Sequence, residues 1–194
     1  RVTKEEWSED ELKKMYPYFC TLHSLAYKRL QLQQSDIMDQ SDYDDLSRIT
    51  GRVFVNKMKK GNGVDISMPT AKSEYQDLIN LAYAKFPDDE DRLHKIFRTV
   101  KLNDYGARNT IEQMDLDLKN FKRDREKLEY VDYFNHFLER RNPPKLKYLF
   151  VDEAQDLSKH QWQVIDMIQE VAKPIETYIA GDDDQAIFRW AGAD

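Results

Sequence analysis

With one cysteine, six glycines and six prolines among 194 residues, the chain leaves few structural classes open. A lone Cys20 cannot close a disulfide within the chain, which excludes a disulfide-stapled scaffold and points to a reducing, intracellular (cytoplasmic) setting. Glycine and proline this sparse, with no repeat of any period, exclude collagen-like, low-complexity and repeat architectures. Long apolar runs are missing too: the longest, Tyr148 to Val151, falls far short of the ~20 residues that span a bilayer, so no membrane partner is expected. The polar, acidic start from Arg1 to Asp10 does not resemble a signal peptide. There is no initiator Met, so the sequence is expected to be a piece of a longer chain. Finally, none of the glycines at 51, 61, 63, 106, 181 and 192 heads a Gly-Lys-Ser/Thr, so no G-x-x-x-x-G-K-[ST] phosphate loop is present.

What is there is 40% hydrophobic and 34% charged, enough for one ordinary domain or two small ones. The net charge of −6 argues superficially against a nucleic-acid partner. Its layout is uneven: residues 119–147 carry nine basic and five acidic side chains, a net of +4 set against −10 elsewhere. That basic stretch reads as a candidate phosphate-facing surface. The acidic clusters Asp36/Asp39/Asp42/Asp44/Asp45 and Asp88/Asp89/Glu90/Asp91 read as solvated faces or loops.

Where the pattern is periodic before residue 141, it is helical. Ser8 with Glu11 and Ser73 with Gln76 have the spacing of capping boxes. Tyr75, Leu78, Ile79, Ala82, Tyr83 and Phe86 follow as an amphipathic stripe that Pro87 stops. Leu93, Ile96, Phe97 and Val100 keep the same spacing. A further stripe, Ile111, Met114, Leu118 and Phe121, is extended by Leu128, Val131, Phe134 and Leu138 toward Arg141. After Asn142-Pro143-Pro144 the character changes. Leu146 to Val151 reads as a strand buried on both faces. A helix opened by Ser158 and Gln161 carries Trp162, Ile165, Ile168 and Ala172 up to Pro174, and Ile175 to Ala180 reads as a second strand. Strand, helix, strand at this length is a βαβ unit with parallel strands, and ligands of such units bind at the carboxyl ends of the strands.

Both strand ends are chemically unusual. The first runs into Asp152-Glu153-Ala154-Gln155-Asp156. Adjacent carboxylates beside a core suit a Mg²⁺ held partly by substrate phosphates, with the second carboxylate orienting or deprotonating a water; an acidic helix N-terminus is the alternative. The second ends in Gly181-Asp182-Asp183-Asp184-Gln185, then Ala186-Ile187-Phe188-Arg189-Trp190. Gly181 permits a tight turn, and the Gln185 amide is suited to sensing a terminal phosphate or a lytic water. Phe188 and Trp190, flanking Arg189, form a stacking platform for unpaired bases or else pack beneath the sheet.

Val151 to Asp156 resembles the Walker B segment, motif II, of UvrD/Rep/PcrA-like superfamily 1A DNA helicases, and Gly181 to Ala193 resembles their motif III in the family's order. Thr21-Leu22-His23-Ser24-Leu25 is similar to the family's Thr-Phe-His-Ser-Leu motif, and Asp132-Tyr133 to the start of its Asp-Phe-x-x-Leu motif. The resemblance implies an α/β fold: a partial RecA-like P-loop NTPase lobe over 1–24 and 144–194, with a large, mostly helical 1B-like insertion over 25–143. It implies ATP and Mg²⁺ as cofactors, Asp152 as the Mg²⁺ ligand, Glu153 as general base and Gln185 as the couple between γ-phosphate and DNA. Thr21, His23 and Ser24 would contact the backbone of single-stranded DNA while Phe188, Arg189 and Trp190 engage its bases, with duplex junctions as the substrate of a 3′-to-5′ translocating helicase. The family usually has Tyr at the place of Phe188 and Arg at the place of Ala191. Without a phosphate loop or a second lobe, the 194 residues alone are expected to hydrolyse no ATP. Two other readings fit some of the same residues. One is a metal-dependent nuclease or phosphatase using Asp152, Glu153 and Asp182 to Asp184; the other is a non-enzymatic helical module that docks DNA or protein.

Overall fold

The structure is a computed structural model that describes residues 18–55 and 74–182. The Ser8/Glu11 pair, Ser73, Asp183, Asp184, Gln185, Phe188, Arg189 and Trp190 lie outside the described residues. Helix α1, Leu22–Leu30, starts at Thr21, whose Oγ1 accepts the Ser24 N–H at 3.2 Å, and closes on a left-handed Gln31. Helix α2, Gln40–Thr50, opens with a reciprocal capping box between Asp39 and Asp42 and closes on Gly51 at φ +69°, a conformation glycine adopts freely. The stripes ending at Phe86 and Val100 become α3, Glu74–Lys85, and α4, Arg92–Thr99. Val100 departs from expectation: it sits at the α4 C-cap, exposed.

Helix α5, Tyr105–Arg125, buries Ile111, Met114, Leu118 and Phe121 as their spacing requires. The stripe does not run on through Leu128. Glu126 turns left-handed and ends the helix, and Leu128 leaves it to form an isolated parallel bridge with Ile37. A second capping box, Glu129 with Asp132, then starts α6, Tyr130–Arg140, which buries Tyr133, Phe134 and Phe137. Short strands β1, Tyr148–Val151, and β2, Glu176–Ile179, pair in parallel with Phe150 opposite Tyr178. Between them runs α7, Lys159–Ala172, where the expected Ser158/Gln161 capping box is present on both arms at 3.3 and 2.7 Å.

Two hydrophobic cores result. One joins Leu46, Phe54, Ile79, Ile96, Phe97, Ile111 and Leu118 across α2 to α5. The other joins Leu25 and Ala26 of α1, Phe134 and Phe137 of α6, and Val164, Met167 and Ile168 of α7, with Leu146 and Leu149 packed against them. Helices α1 and α6, the flanks of the helical region, therefore pack with the βαβ unit. The expectation that β1 is buried on both faces is corrected. Leu149 turns toward the second core, but on the opposite face Phe150 is 72% exposed and its ring stacks on exposed Tyr178 at 4.9 Å. The described residues supply helices for one face of a two-stranded sheet and none for the other.

The acidic clusters are mostly solvated as expected, with Asp39, Asp44, Asp88, Glu90 and Asp91 exposed, but several members also pair within the fold. Asp42 is buried and pairs with Lys127 at 3.0 Å, while Asp45 takes Arg48 at 2.5 Å and Arg125 at 3.5 Å. Asp89 pairs with Lys95 and accepts the Asp91 N–H, and Asp88 accepts from the Gln163 amide. These carboxylates neutralise cations and satisfy backbone donors that would otherwise lack partners. Among the described residues no helix is long and apolar enough to cross a membrane.

Candidate functional site

The parallel pairing brings the carboxyl ends of β1 and β2 side by side. The Ala180 N–H reaches Val151 O at 2.8 Å, and the Ala154 N–H reaches Ala180 O at 2.9 Å. Past Val151 the chain leaves the sheet abruptly. Asp152 is exposed, and its Oδ1 accepts the Glu153 N–H at 3.0 Å. Glu153 is also exposed and adopts φ +52°, the left-handed region. The other described non-glycine residues with positive φ are Gln31, Lys101, Glu126, Arg141 and Lys173, all at or just past helix C-termini, where this conformation ordinarily closes a helix. Glu153 follows a strand instead. A bulky residue held there costs of order 1–3 kcal/mol and persists only because its surroundings impose it.

Those surroundings include Gln155, a residue that sequence reasoning did not single out. Gln155 lies in the 3₁₀ turn Ala154–Asp156 and is 9% exposed. Its Nε2 donates to Glu153 Oε2 at 2.6 Å, and its Oε1 accepts the Asp182 N–H at 3.1 Å. Gly181 makes room for it, since a β-carbon there would stand 2.8 Å from Gln155 Oε1 and 3.2 Å from its backbone nitrogen. The glycine was expected for a tight turn; the structure adds close approach as a second reason. A polar residue inside the Asp-Glu-Ala-Gln-Asp run was the available signal, but its partner lies on the other strand.

Asp152 and Glu153 thus stand together in solvent at the sheet's carboxyl edge. Among the described residues no three His, Cys, Asp or Glu gather into a cage able to hold a metal ion. Two exposed carboxylates fit a Mg²⁺ that keeps several waters and shares phosphate oxygens, the usual habit of that ion, and fit poorly a cation held by protein alone.

The Thr21–Ser24 segment is the first turn of α1. Thr21 Oγ1 is used as the helix cap, which leaves the hydroxyl hydrogen available, and the unpaired N–H groups of a helix start favour an anion. His23 is half-buried against α6, its ring 4.2 Å from Phe134 and 5.1 Å from Tyr130. Buried His160 of α7 also meets Phe134, edge-on at 5.4 Å. Burial, with His160 adding a smaller contribution, lowers the His23 pKa to about 4, so at neutral pH its imidazole is uncharged and has a hydrogen bond but no charge to offer an anion. Burial likewise lowers His160 to about 4.

In the basic stretch Lys122 and Lys127 are paired inside the fold, while Lys119, Arg123, Arg125 and Arg141 are paired at the surface. Lys119 pairs with Asp115, Lys122 with Glu129 and Asp132, Arg123 with Asp124, Arg125 with Asp45, Lys127 with Asp42 and Arg141 with Glu170. Arg140 donates to Leu30 O, and the Lys147 ammonium lies over the Tyr148 ring. The expected excess of positive charge is therefore spread over pairs with acids from several elements.

In a parallel βαβ unit of an α/β protein, ligands bind outside the carboxyl ends of the strands, which is where Asp152 and Glu153 stand. The UvrD/REP helicase N-terminal domain family model matches residues 3–194, and the chain belongs to that family. Over 59 residues, 30% of this chain, it is 39% identical to the ATP-dependent DNA helicase Rep of Buchnera aphidicola subsp. Schizaphis graminum and 36% identical to that of Escherichia coli K12. A 49-residue match, 25% of this chain, is 43% identical to the same helicase of Buchnera aphidicola subsp. Acyrthosiphon pisum. These matches span 9%, 8% and 7% of the relatives' own lengths. No solved structure matches the chain significantly.

Proposed function

We propose that the chain is part of the motor of an ATP-dependent, 3′-to-5′ single-stranded DNA translocase and helicase acting at duplex junctions. In this reading, residues 1–24 and 144–194 form part of a RecA-like lobe and 25–143 a 1B-like insertion, with α1 and α6 as the seam between them. Asp152 is the Mg²⁺ ligand, Glu153 the general base, and Gln185 the couple between the γ-phosphate and DNA. Thr21, His23 and Ser24 contact the DNA backbone, Phe188 and Trp190 stack on its bases, and Arg189 contacts the DNA beside them. The bound MgATP supplies the phosphoryl group and the charge-neutralising cation. The chain's own residues orient them, hold a water and accept its proton at a Glu153 carboxylate oxygen.

The observation that carries this reading is the pair Asp152 and Glu153, exposed side by side at the carboxyl edge of a parallel strand, with Glu153 held in a left-handed conformation. The capped N-terminus of α1 supports the backbone-contact assignment. The test uses the full-length protein. Glu153→Gln should keep nucleotide and DNA binding but lose about 10²-fold or more in ATP turnover. Trp190→Ala should weaken binding to single-stranded oligonucleotides across a salt series by about 1–3 kcal/mol. Turnover and binding both at wild-type level would refute the reading.

A further inference from the structure

The Gln155 side chain joins two segments at the carboxyl ends of β1 and β2. One is the end of β1 that carries Glu153; the other is the Gly181–Asp182 peptide at the end of β2. Its amide is used at both ends, donating to Glu153 Oε2 at 2.6 Å and accepting from the Asp182 N–H at 3.1 Å. The orientation of that amide is fixed by this donor and acceptor pattern, because a flipped side chain would face the Asp182 N–H with its own N–H₂ and the carboxylate with its oxygen. The site is also sterically closed around it. The space that Gly181 leaves empty is filled by Gln155 Oε1, and a β-carbon there would meet Ala154 Cβ at 3.3 Å as well. An amide that is 9% exposed and bonded on both sides has little freedom to turn. The Glu153 carboxylate, by contrast, is exposed and would sample several rotamers without this donor.

We propose that Gln155 is a positioning residue: it aims the Glu153 carboxylate and makes that aim depend on where the Gly181–Asp182 peptide sits, so that the strand leading toward residues 183–194 controls the base. The proposal rests on the reading of Glu153 as general base. A shift of the Asp182 N–H moves Gln155 Oε1, and with it the donor on Glu153. No proton is exchanged by Gln155; it acts only through geometry, where a displacement of about 1 Å at a reacting group can cost about 10²-fold in rate.

Two substitutions address the two ends in the full-length protein. Gln155→Glu keeps an oxygen for the Asp182 N–H but removes the donor to Glu153. Gly181→Ala keeps Gln155 and pushes its Oε1 away from the strand end. Each should lower kcat at saturating single-stranded DNA by about tenfold or more. The KM for ATP and the affinity for a fluorescent non-hydrolysable ATP analogue with Mg²⁺ should stay within about threefold, since neither change touches the nucleotide-holding carboxylate Asp152. The double variant Glu153→Gln/Gln155→Glu should be no slower than Glu153→Gln alone, because a residue that acts through another has no effect once that other is gone. Wild-type kcat in both single variants would overturn the proposal, as would a further tenfold loss in the double variant. So would a fall in kcat matched by an equal fall in analogue affinity. Full activity of Glu153→Gln alone would instead refute the general-base reading, so failure of the proposal and failure of its premise give different patterns.

Discussion

Lys122 shows how a polar group is accommodated in the interior of this protein. Its ammonium lies 3.1 Å from Glu129 and 2.8 Å from Asp132, and Glu129 also accepts from Tyr43 Oη at 2.5 Å. Burial would lower the Lys122 pKa, but the two carboxylates outweigh it and hold the pKa above its ordinary value. Lys122→Ala would leave two acids facing a tyrosine with no cation, at a cost of about 3 kcal/mol, read as a lower urea midpoint. The His160 site behaves in the opposite sense. Its pKa falls from 6.5 to about 4 in the fold, mainly through burial, with Arg92 lowering it further while Asp88 and Asp132 oppose. Below pH 6.5 the unfolded chain takes up a proton that the folded chain refuses, so stability declines as the pH drops from 6.5 toward 4. The loss approaches about 3 kcal/mol at the low end, with half-buried His23 adding to it. Thermal melts at pH 7 and pH 5 should show this fall, and His160→Phe should reduce it; a pH-independent Tm would contradict the assignment.

Among the described residues a helix start was legible in the sequence at Ser158 but not at Thr21, Asp39, Asp104 or Glu129, whose caps are as local. The Ser158/Gln161 box and the stripes of α3, α4 and α5 follow from spacing alone, because their hydrogen bonds and apolar faces lie within a few residues of one another. Ser158→Ala should cost about 1 kcal/mol in equilibrium unfolding, and Ser158→Thr should restore most of it. Periodicity failed at Glu126, where the apolar spacing continues through Leu128 but the helix does not. The break is stabilised by distant partners: Ile37 and the adjoining Asp36 and Met38 backbone for Leu128, and the ion pairs of Lys122 with the first turn of α6. Burial of β1 was overestimated for a related reason. A run of Tyr, Leu, Phe and Val reads as interior, while two strands and one layer of helices leave Phe150 and Tyr178 with each other.

Taken together, the described residues form two cores and one chemically distinctive edge. The core of α2 to α5 holds the helical region, and the core of α1, α6 and α7 anchors both the Thr21–Ser24 turn and the β1 end to one body. That arrangement brings the proposed DNA-contact turn of α1 and helix α7, which follows the proposed ATP carboxylates in the chain, against one ring, Phe134 of α6. It does not supply a Lys for the β- and γ-phosphates, because the sequence has no phosphate loop. The 194 residues in isolation should therefore show no ATP turnover above background in a coupled assay. Sustained Mg²⁺- and DNA-stimulated hydrolysis by them would contradict this.

The linear sequence was enough to locate α3, α4, α5 and α7, the two parallel strands, the Asp152-Glu153 pair and the motifs that resemble a helicase. Each of these is written in residues close together in the chain. Folding decided the neutral state of His23, the pairing of Lys127 and the role open to Gln155. Each depends on a neighbour far along the chain: Phe134 for His23, Asp42 for Lys127, and Asp182, 27 residues away, for Gln155. Spacing reports which face a side chain shares with its near neighbours. It carries no information about which distant group arrives there, since that is set by how helices and strands close loops and pack.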